Sequence, residues 1–202
     1  GYLETLSLKA DRLTMEENKQ YLNIALRQGN KVRHLSQQLF ELARLEHGGI
    51  KLQPETFVLA ELVQDVAQKF DLPIATRNIG LRLELATGLP PITADLSMIE
   101  RVLTNLLDNA IRHTPEGGLI RLAARRSGPE FIVEVADSGP GIGSELRATL
   151  FERPSVLEPG AQSASRGGLG LMIVRRMLQL HGGDIRLLDA PVGACFQFTL
   201  PV

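Results

Sequence analysis

The spacing of apolar residues changes at the Gly48-Gly49 pair, and this change limits the folds open to the chain. Before the pair there is no proline, and apolar residues recur at intervals of three and four positions. The apolar stripe consists of Leu22, Ala25, Val32, Leu35, Leu39 and Leu42. This spacing predicts one long helix. Because so long and narrow a stripe needs a partner surface, we expect a coiled-coil-like bundle completed by a second copy of the chain.

The predicted helix has a recognisable start. Thr14 precedes it and Glu17 follows three positions later, which is the arrangement of a capping box. Upstream, Tyr2 to Leu8 look like the end of an earlier helix, with Leu13-Thr14 at the turn between the two. We therefore expect the chain to begin inside an antiparallel helical hairpin, a first domain over residues 1–48, followed by a linker over 49–56.

Beyond the glycine pair, the apolar period alternates between values typical of strands and of helices. The predicted strands are Phe57–Leu59, Leu81–Leu85, Leu119–Arg125, Phe131–Ala136, Ile185–Leu188 and Cys195–Leu200, with a hairpin turn at Ser127-Gly128-Pro129. The predicted helices are Ala60–Thr76, one from the capping residue Asp95 to about His113, and one from Leu169 to His181-Gly182-Gly183. This order indicates a mixed α+β domain over residues 57–202.

Composition argues against several classes of protein. The 202 residues include 22 basic and 23 acidic ones, for a formal charge of −1, so the overall charge does not favour nucleic-acid binding. Cys195 is the single cysteine and lies in an alternating strand pattern, which predicts a packed core position in a reducing compartment. The sequence shows neither a signal peptide nor an apolar run of about 20 residues, so we expect a soluble, cytoplasmic piece.

Two asparagines distinguish the helix that follows Asp95. Asn105 and Asn109 are four residues apart and therefore share one helical face, with Arg112 and His113 near the helix end. Amide oxygens are suitable ligands for Mg²⁺, which also takes oxygens from phosphates. The alternative is that both amides solvate an exposed face. Apolar residues on the neighbouring faces argue against it, because they indicate a largely buried helix in which unpaired amides would be costly.

A carboxylate stands at the end of one predicted strand. Asp137 follows an apolar strand, and Gly139-Pro140-Gly141 turns the backbone directly after it. A carboxylate beside a turn without side chains is suited to accept a hydrogen bond from the amino group of adenine, while the flat base lies against the glycines. The same residues are also ordinary turn chemistry, and that alternative stays open.

A second glycine cluster, Gly167-Gly168-Leu169-Gly170, precedes the last predicted helix. Its N–H groups and the helix start form a natural site for phosphate groups. It is not a Walker A loop, because no Gly-Lys-Ser/Thr follows, and no G-x-G-x-x-G follows a strand. The sequence therefore predicts a phosphate site of neither the P-loop nor the Rossmann type.

Between the glycine clusters, residues Gly143 to Arg166 begin as a helix and then become irregular. A long loop of this kind inside a domain is usually functional, and we predict a mobile cover over the site. Phe151 would anchor its first half through apolar contacts. Arg153 or Arg166 would meet the phosphates, or else remain solvated surface charges.

Taken together, these residues resemble the transmitter region of sensor histidine kinases. In family order, the similar segments are Asn105–Asn109 for the N box, Asp137–Gly141 for the first G box, Phe151–Pro154 for the F box and Gly167–Leu171 for the second G box. The resemblance covers nearly all of Phe57 to Val202, and the segment before Gly48 is similar to the second helix of the dimerisation and phosphotransfer domain. It implies an α/β sandwich fold, with helices over a mixed sheet.

The resemblance also implies roles for single residues. Asn109, with Asn105 nearby, would serve Mg²⁺ and the phosphates of ATP, and Arg112 would approach the phosphate chain. Asp137 would bind the adenine amino group in a pocket shaped by Gly139 and Gly141. The full set implied for ATP is Asn105, Asn109, Arg112, His113, Asp137, Gly139, Gly141, Ile142, Gly167, Gly168, Leu169, Gly170 and Leu171.

One departure from the family bears on activity. The acceptor histidine of the family lies in a box of the type His-Glu/Asp-Leu-Arg-x-Pro, and no such sequence occurs here. The four histidines that do not replace it are His34, His47, His113 and His181. Because Tyr2 to Leu8 is similar to the family's segment directly after that box, we expect that the chain was cut just downstream of it, by design or by proteolysis. The alternative is a natural protein that never had the box. The resemblance then implies part of a protein-histidine kinase that binds ATP and Mg²⁺ but does not phosphorylate itself.

The implied partners are a response regulator receiver domain, which would accept the phosphoryl group, and a second copy of the chain through the helical hairpin. Nucleic acid is not expected, and a parent protein in the bacterial inner membrane would be anchored by upstream segments. Two alternatives remain open. An ATP-hydrolysing relative of the gyrase, mismatch-repair or chaperone type would need a carboxylate base where Asn105 stands. A non-catalytic scaffold would use the hairpin for docking and keep a vestigial pocket.

Overall fold

The computed structural model describes residues 14–46, 51–152 and 168–202. The chain divides into two units, Gly1–Ala43 and Arg44–Val202. Several predicted features lie outside the described residues: the helical segment Tyr2–Leu8, His47, the Gly48-Gly49 pair, the second part of the predicted cover with Arg153 and Arg166, and Gly167.

Helix α1, Met15–Glu46, dominates the described part of the first unit and ends within the second. Its start confirms the predicted capping box. The Thr14 N–H donates to Glu17 Oε2 at 2.8 Å, and the Glu17 N–H donates to Thr14 Oγ1 at 3.3 Å. Among its exposed apolar side chains, Leu22, Val32 and Leu39 belong to the predicted stripe. Leu42, the last residue of the predicted stripe, is buried, so the stripe presents apolar surface in a single copy of the chain only in part.

The second unit alternates strands and helices along the chain. In order, the elements are β1 Glu55–Phe57, α2 Leu59–Gln68, α3 Asp71–Thr76, β2 Gly80–Leu85, β3 Ile92–Ala94, α4 Leu96–His113, β4 Leu119–Ser127, β5 Glu130–Asp137, α5 Ser144–Arg147, α6 Gly168–Leu180, β6 Ile185–Leu188 and β7 Cys195–Pro201. None of the helices formed by the described residues combines the length and the apolar character needed to span a membrane.

The main sheet has five strands in the order β2-β4-β5-β7-β6. Strands β2 and β4 are parallel, and all other neighbours in this sheet are antiparallel, so the sheet is mixed as expected. Strands β4 and β5 form the predicted hairpin, in which Gly128 adopts a φ of +60°. A separate two-stranded antiparallel sheet joins β1 to β3.

The core lies between one face of the main sheet and the helices. Helix α4 packs against α2, α6 and β5. Fully buried side chains from each layer meet here, among them Val102 and Leu106 of α4, Val133 of β5, Val174 of α6 and Phe198 of β7. Burying side chains of this size stabilises the fold by about 1.5–3 kcal/mol each. The expected α/β sandwich is thereby confirmed.

The other face of the sheet carries a ladder of polar side chains across all five strands. Arg121 on β4 lies 3.3 Å from Glu84 on β2 and 2.9 Å from Glu134 on β5. Glu134 accepts a hydrogen bond from Gln197 on β7 at 2.7 Å, and Gln197 accepts one from Arg186 on β6 at 2.9 Å. This face is therefore polar, which explains why strand residues alternate in character.

Two element predictions differ from the structure. The strand expected at Phe57–Leu59 lies at Glu55–Phe57, and Leu59 begins α2. The single helix expected over Ala60–Thr76 is divided into α2 and α3. Pro73 explains the division, because it lacks the N–H that would bond to the carbonyl of Lys69 and its ring crowds that carbonyl.

Cys195 occupies the predicted core position. Its side chain is buried and forms no disulfide. Burial raises the pKa of the Cys195 thiol above its usual value, and the nearby carboxylate of Glu134 acts in the same direction. A thiol kept protonated in this way is a packing group rather than a nucleophile.

The start of α4 is held by Asp95, as its capping role predicts. Asp95 Oδ1 accepts hydrogen bonds from the Met98 N–H at 3.2 Å and from Ser97 Oγ at 2.7 Å, while Oδ2 accepts one from the Gln53 N–H at 3.0 Å. Burial acts to raise the pKa of Asp95, but these hydrogen bonds outweigh it and hold the pKa below its ordinary value of 3.8.

His181, predicted only as a helix-end residue, joins the end of α6 to the start of α4. Its Nε2 lies 3.1 Å from the backbone nitrogen of Asp95, and its Nδ1 lies 2.7 Å from the carbonyl oxygen of Met177. A carbonyl accepts and a backbone N–H donates, so Nδ1 carries the proton and Nε2 accepts. This link fixes the ends of both helices relative to each other.

Removing the Asp95 carboxylate should destabilise the second unit. We expect Asp95→Ala to lower the free energy of unfolding by about 1–2 kcal/mol, because the N–H groups of Met98 and Gln53 lose their acceptor. Asp95→Asn should cost less, since its amide oxygen still caps the helix. Asp65→Ala, at an exposed helix position, is the control and should change stability by less than about 0.5 kcal/mol. Denaturant unfolding that ranks Asp95→Ala with the control would contradict this account.

Candidate functional site

Asp137 ends β5 and is the charged group around which the site is built. The residue is only 8% exposed. Asp137 Oδ1 accepts a hydrogen bond from the Gly139 N–H at 2.8 Å and a longer one from the Ala194 N–H at 3.4 Å. The Asp137 N–H in turn donates to the Ala194 carbonyl at 2.9 Å. The carboxylate is therefore buried and oriented by the backbone.

Burial also changes the acidity of this group. It raises the pKa of the Asp137 carboxyl above its ordinary value of 3.8, and the N–H groups of Gly139 and Ala194 offset only part of that effect. A nearby positive charge on His113 would act in the same direction as these hydrogen bonds. The folded chain thus keeps a carboxylate in a setting that opposes its charge, which is a property typical of functional sites.

The turn after Asp137 lies directly against the end of α4. A Cβ atom added to Gly139 would come within 2.6 Å of the carbonyl oxygen of His113. Gly141 has a φ of +76°, and a Cβ atom there would lie 2.9 Å from the carbonyl oxygen of Gly193. Side chains are excluded at both positions, so the turn presents bare backbone beside the carboxylate.

The two predicted asparagines lie on the same helix as His113. Asn105, Asn109 and His113 follow one another at intervals of four residues and are all half-buried, so they form one stripe along α4. Burial and the positive charge of Arg112 lower the pKa of His113 below 6.5, although Asp137 acts in the opposite direction. The guanidinium of Arg112 lies beside the Asp108 carboxylate, 2.5 Å away.

The start of α6 provides the second glycine cluster. The helix begins at Gly168, and its Leu169 and Leu171 side chains are buried while Gly170 between them is half-exposed. The first N–H groups of a helix have no partner inside that helix. Because α6 packs against α4, these N–H groups lie in the same helical layer as Asn105 and Asn109.

Phe151 anchors the first half of the predicted cover, as expected. Its ring meets that of Phe196 on β7 in a T-shaped contact with 6.3 Å between the ring centres. The guanidinium carbon of Arg175 lies 5.9 Å from the centre of the Phe151 ring. Ile142, just after the glycine turn, is half-buried.

Sequence reasoning missed one part of the site. Gly193 and Ala194, in the connection between β6 and β7, contact Asp137 through their backbones. The available signal was weak: Gly193 follows Pro191-Val192 and precedes a strand, which indicates only a turn. Of the predicted residues, the structure brings together Asp137, Gly139, Gly141 and His113.

The fold and this site define an α/β sandwich with a buried carboxylate at the edge of a glycine-lined turn. The sequence profile of the histidine kinase-, DNA gyrase B-, and HSP90-like ATPases matches residues 94–202, and the chain belongs to this family. Together with the relatives described next, this match confirms the resemblance to sensor histidine kinases. Residues 94–202 of the second unit therefore belong to an ATP-binding domain of this family.

Similar proteins and solved structures agree with this assignment. The alginate biosynthesis sensor protein KinB of Pseudomonas aeruginosa is 38% identical over 165 residues, which cover 81% of this chain and 27% of KinB. The structure of ShkA in complex with AMPPNP has a TM-score of 0.75 at 27% identity and covers 96% of this chain and 40% of that one. The structure of histidine kinase ThkA in complex with response regulator TrrA has a TM-score of 0.75 at 26% identity, covering 99% and 56%. The chain spans about a quarter of KinB.

Adding one methyl group at Gly139 should disrupt the site. Because the Cβ atom would meet the backbone of His113, Gly139→Ala must move either the turn or the end of α4. We expect a loss of about 1–3 kcal/mol in stability and at least a tenfold weaker affinity for ATP. Gly143→Ala is the matched control, since nothing lies within 4 Å of a Cβ atom there. Equal melting temperatures and ATP affinities for both variants would disprove the crowding.

Replacing the buried Asp137 carboxylate by an amide should change how stability depends on pH. The folded chain holds the Asp137 proton more tightly than the unfolded chain does, so ionisation lowers stability as the pH rises from the unfolded to the folded pKa. We expect Asp137→Asn to be as stable as the parent chain or more stable at pH about 7, with the difference shrinking as the pH falls below about 4. Unfolding curves at both pH values, with the exposed Asp65→Asn as control, test this. Lower stability of Asp137→Asn at neutral pH would refute it.

Proposed function

We propose that this chain is the catalytic part of a two-component sensor histidine kinase, which binds ATP with Mg²⁺ for transfer of the γ-phosphoryl group to a histidine. The observation that carries the proposal is the arrangement at Asp137: a buried carboxylate beside a turn from which side chains are excluded. Such a slot accepts a flat base whose amino group donates a hydrogen bond. Supporting it, ShkA was captured with AMPPNP.

We assign the base to Asp137, Gly139, Gly141 and Ile142. Asp137 lies at the buried end of β5, and the two glycines allow close approach of the base to the backbone. Ile142 is half-buried next to them and offers an apolar side chain to the base. Adenine suits this combination because one face needs apolar contact and one edge needs an acceptor.

The phosphates and the metal are assigned to α4 and to the start of α6. Asn109 and Asn105 would hold Mg²⁺ through their amide oxygens, with Arg112 and His113 near the phosphate chain. The residues proposed at the start of α6 are Gly167, Gly168, Leu169, Gly170 and Leu171. Within the described ranges, no group of three or more His, Cys, Asp or Glu side chains forms a metal site. A site of amides completed by phosphate oxygens is consistent with Mg²⁺, which neutralises phosphate charge when bound.

The chemistry asked of these residues is positioning and charge neutralisation. In phosphoryl transfer, the attacking and leaving atoms lie in line and the protein contributes little covalent chemistry. The lowered pKa of His113 keeps its ring neutral near pH 7, so it donates or accepts a hydrogen bond without adding charge. Asn105 stands where a hydrolase of this family would need a carboxylate, and an amide does not act as a general base.

The domain roles and partners are part of the same proposal. Residues 1–48 would supply part of a dimerisation hairpin, 49–56 a linker and 57–202 the ATP-binding domain. The exposed apolar residues of α1 support a homodimer, because Leu22, Val32 and Leu39 are uncovered in one copy. ThkA, crystallised with the response regulator TrrA, supports a response regulator as the partner. Attachment of the parent protein to a bacterial inner membrane remains part of this proposal.

Calorimetry with ATP tests the metal assignment. We expect the parent chain to bind ATP in the presence of Mg²⁺ and to lose affinity when the metal is chelated. Asn109→Ala should bind at least about tenfold more weakly with Mg²⁺, because a ligand of the metal is gone, and should respond little to chelation. Asn23→Ala, on the exposed surface of α1, is the matched control and should behave like the parent chain.

Incubation with ATP labelled at the γ-phosphate tests the reaction assigned to this chain. We expect no label on the purified chain, because no His-Glu/Asp-Leu-Arg-x-Pro box is present. Label on the chain would overturn that part of the proposal. Steady release of phosphate that Asn105→Ala abolishes would favour an ATP hydrolase instead, and failure to bind ATP with Mg²⁺ would favour a scaffold.

A further inference from the structure

The connection between β6 and β7 lies against Asp137 along three contacts. The Asp137 N–H donates to the Ala194 carbonyl at 2.9 Å, and the Ala194 N–H donates to Asp137 Oδ1 at 3.4 Å. The third contact is steric, because a Cβ atom added to Gly193 would overlap the carbonyl group of Asp137. These residues are more than 50 positions apart in the sequence, so the contacts belong to the tertiary fold.

The two carboxylate oxygens of Asp137 differ in the hydrogen bonds that they accept. Oδ1 accepts from the Gly139 N–H at 2.8 Å and from the Ala194 N–H. Oδ2 receives no hydrogen bond from the part of the chain that the structure describes. Two donors on one oxygen fix the rotation of the carboxylate. They therefore leave the other oxygen as the acceptor for a ligand.

Gly193 is required here by space as well as by backbone conformation. It adopts a φ of +71°, which any residue other than glycine adopts only with strain. Gly88 adopts the same φ of +71°, yet nothing lies within 4 Å of a Cβ atom added there. The two glycines share this backbone conformation, but only Gly193 of the two contacts Asp137.

We propose that the Gly193-Ala194 backbone is a positioning element that orients the Asp137 carboxylate and thereby sets the choice of base. The proposal rests on the proposed function, in which Asp137 binds the base. With Oδ1 occupied, Oδ2 faces the base and accepts from an exocyclic amino group. A base that carries a carbonyl group in place of the amino group would bring its carbonyl oxygen against Oδ2. Both atoms are acceptors, so the desolvated Oδ2 would have no hydrogen-bond partner.

A pair of glycine substitutions tests the proposal by base selectivity. The probes are ATP and inosine triphosphate, each with Mg²⁺, and the readout is the ratio of their dissociation constants. We expect the parent chain and Gly88→Ala to share the same preference for ATP. Gly193→Ala should lose at least about tenfold of that preference, because the carboxylate is no longer held. If Gly193→Ala weakens both nucleotides by the same factor, the segment has a purely structural role and the proposal is wrong.

A second variant keeps the proposal testable if Gly193→Ala does not fold. In Asp137→Asn, the position of Oδ1 still faces two N–H donors, so the amide oxygen must stay there and the amide NH₂ group must take the outer position. The outer group then donates rather than accepts. We expect the preference to invert, with inosine triphosphate bound more tightly than ATP. Retained preference for ATP would overturn the positioning role.

Nucleotide binding by the parent chain distinguishes failure of the positioning role from failure of the proposed function. If it binds ATP and the variants leave the ratio unchanged, the proposed function stands and the positioning role fails. If it binds neither nucleotide, the proposed function itself fails, and the positioning role fails with it.

Discussion

Asp137 is a buried residue at the end of a central strand, so its carboxylate needs hydrogen-bond donors, and the neighbouring backbone supplies them. The Gly139 and Ala194 N–H groups bond to one oxygen, and glycines at 139 and 193 let the backbone come close enough to do so. Moving the Gly139 turn or the Gly193-Ala194 segment would remove one of the two donors to the desolvated carboxylate. The turn, the end of α4 and the connection to β7 are therefore held together by one requirement.

Helix α4 carries this arrangement across the domain. At its start, Asp95 caps the helix and is bonded to Gln53 and His181, so three distant segments meet there. At its end, His113 touches the turn after Asp137. Asn105 and Asn109 lie between these two ends, and the buried side chains of α4 pack the helix onto the sheet. Rigid attachment at both ends is what a site that works by positioning needs.

Apolar periodicity predicted a mixed α+β domain, and the resemblance of four short segments to sensor histidine kinases implied the family and the α/β sandwich. Alternation predicted the five strands of the main sheet, but β3 was not predicted and β1 was placed two residues too late. Local capping chemistry predicted Thr14 and Asp95 correctly, because these signals depend on residues close together in the chain. The errors arose where local signals competed. The helix over Ala60–Thr76 satisfied the apolar period, but Pro73 interrupts it. The Asn105 and Asn109 roles stay predictions.

The sequence by itself determined the helix caps at Thr14 and Asp95, the apolar faces of the main-sheet strands and that a carboxylate follows a strand beside a glycine turn. The tertiary structure decided what orients that carboxylate, which of its oxygens is left for a ligand and that His181 bonds to Asp95. The physical reason is the distance along the chain between the residues that interact. Capping and periodicity are properties of a few consecutive residues, whereas the bond from Ala194 to Asp137 joins residues 57 positions apart and forms only where β7 pairs with β5.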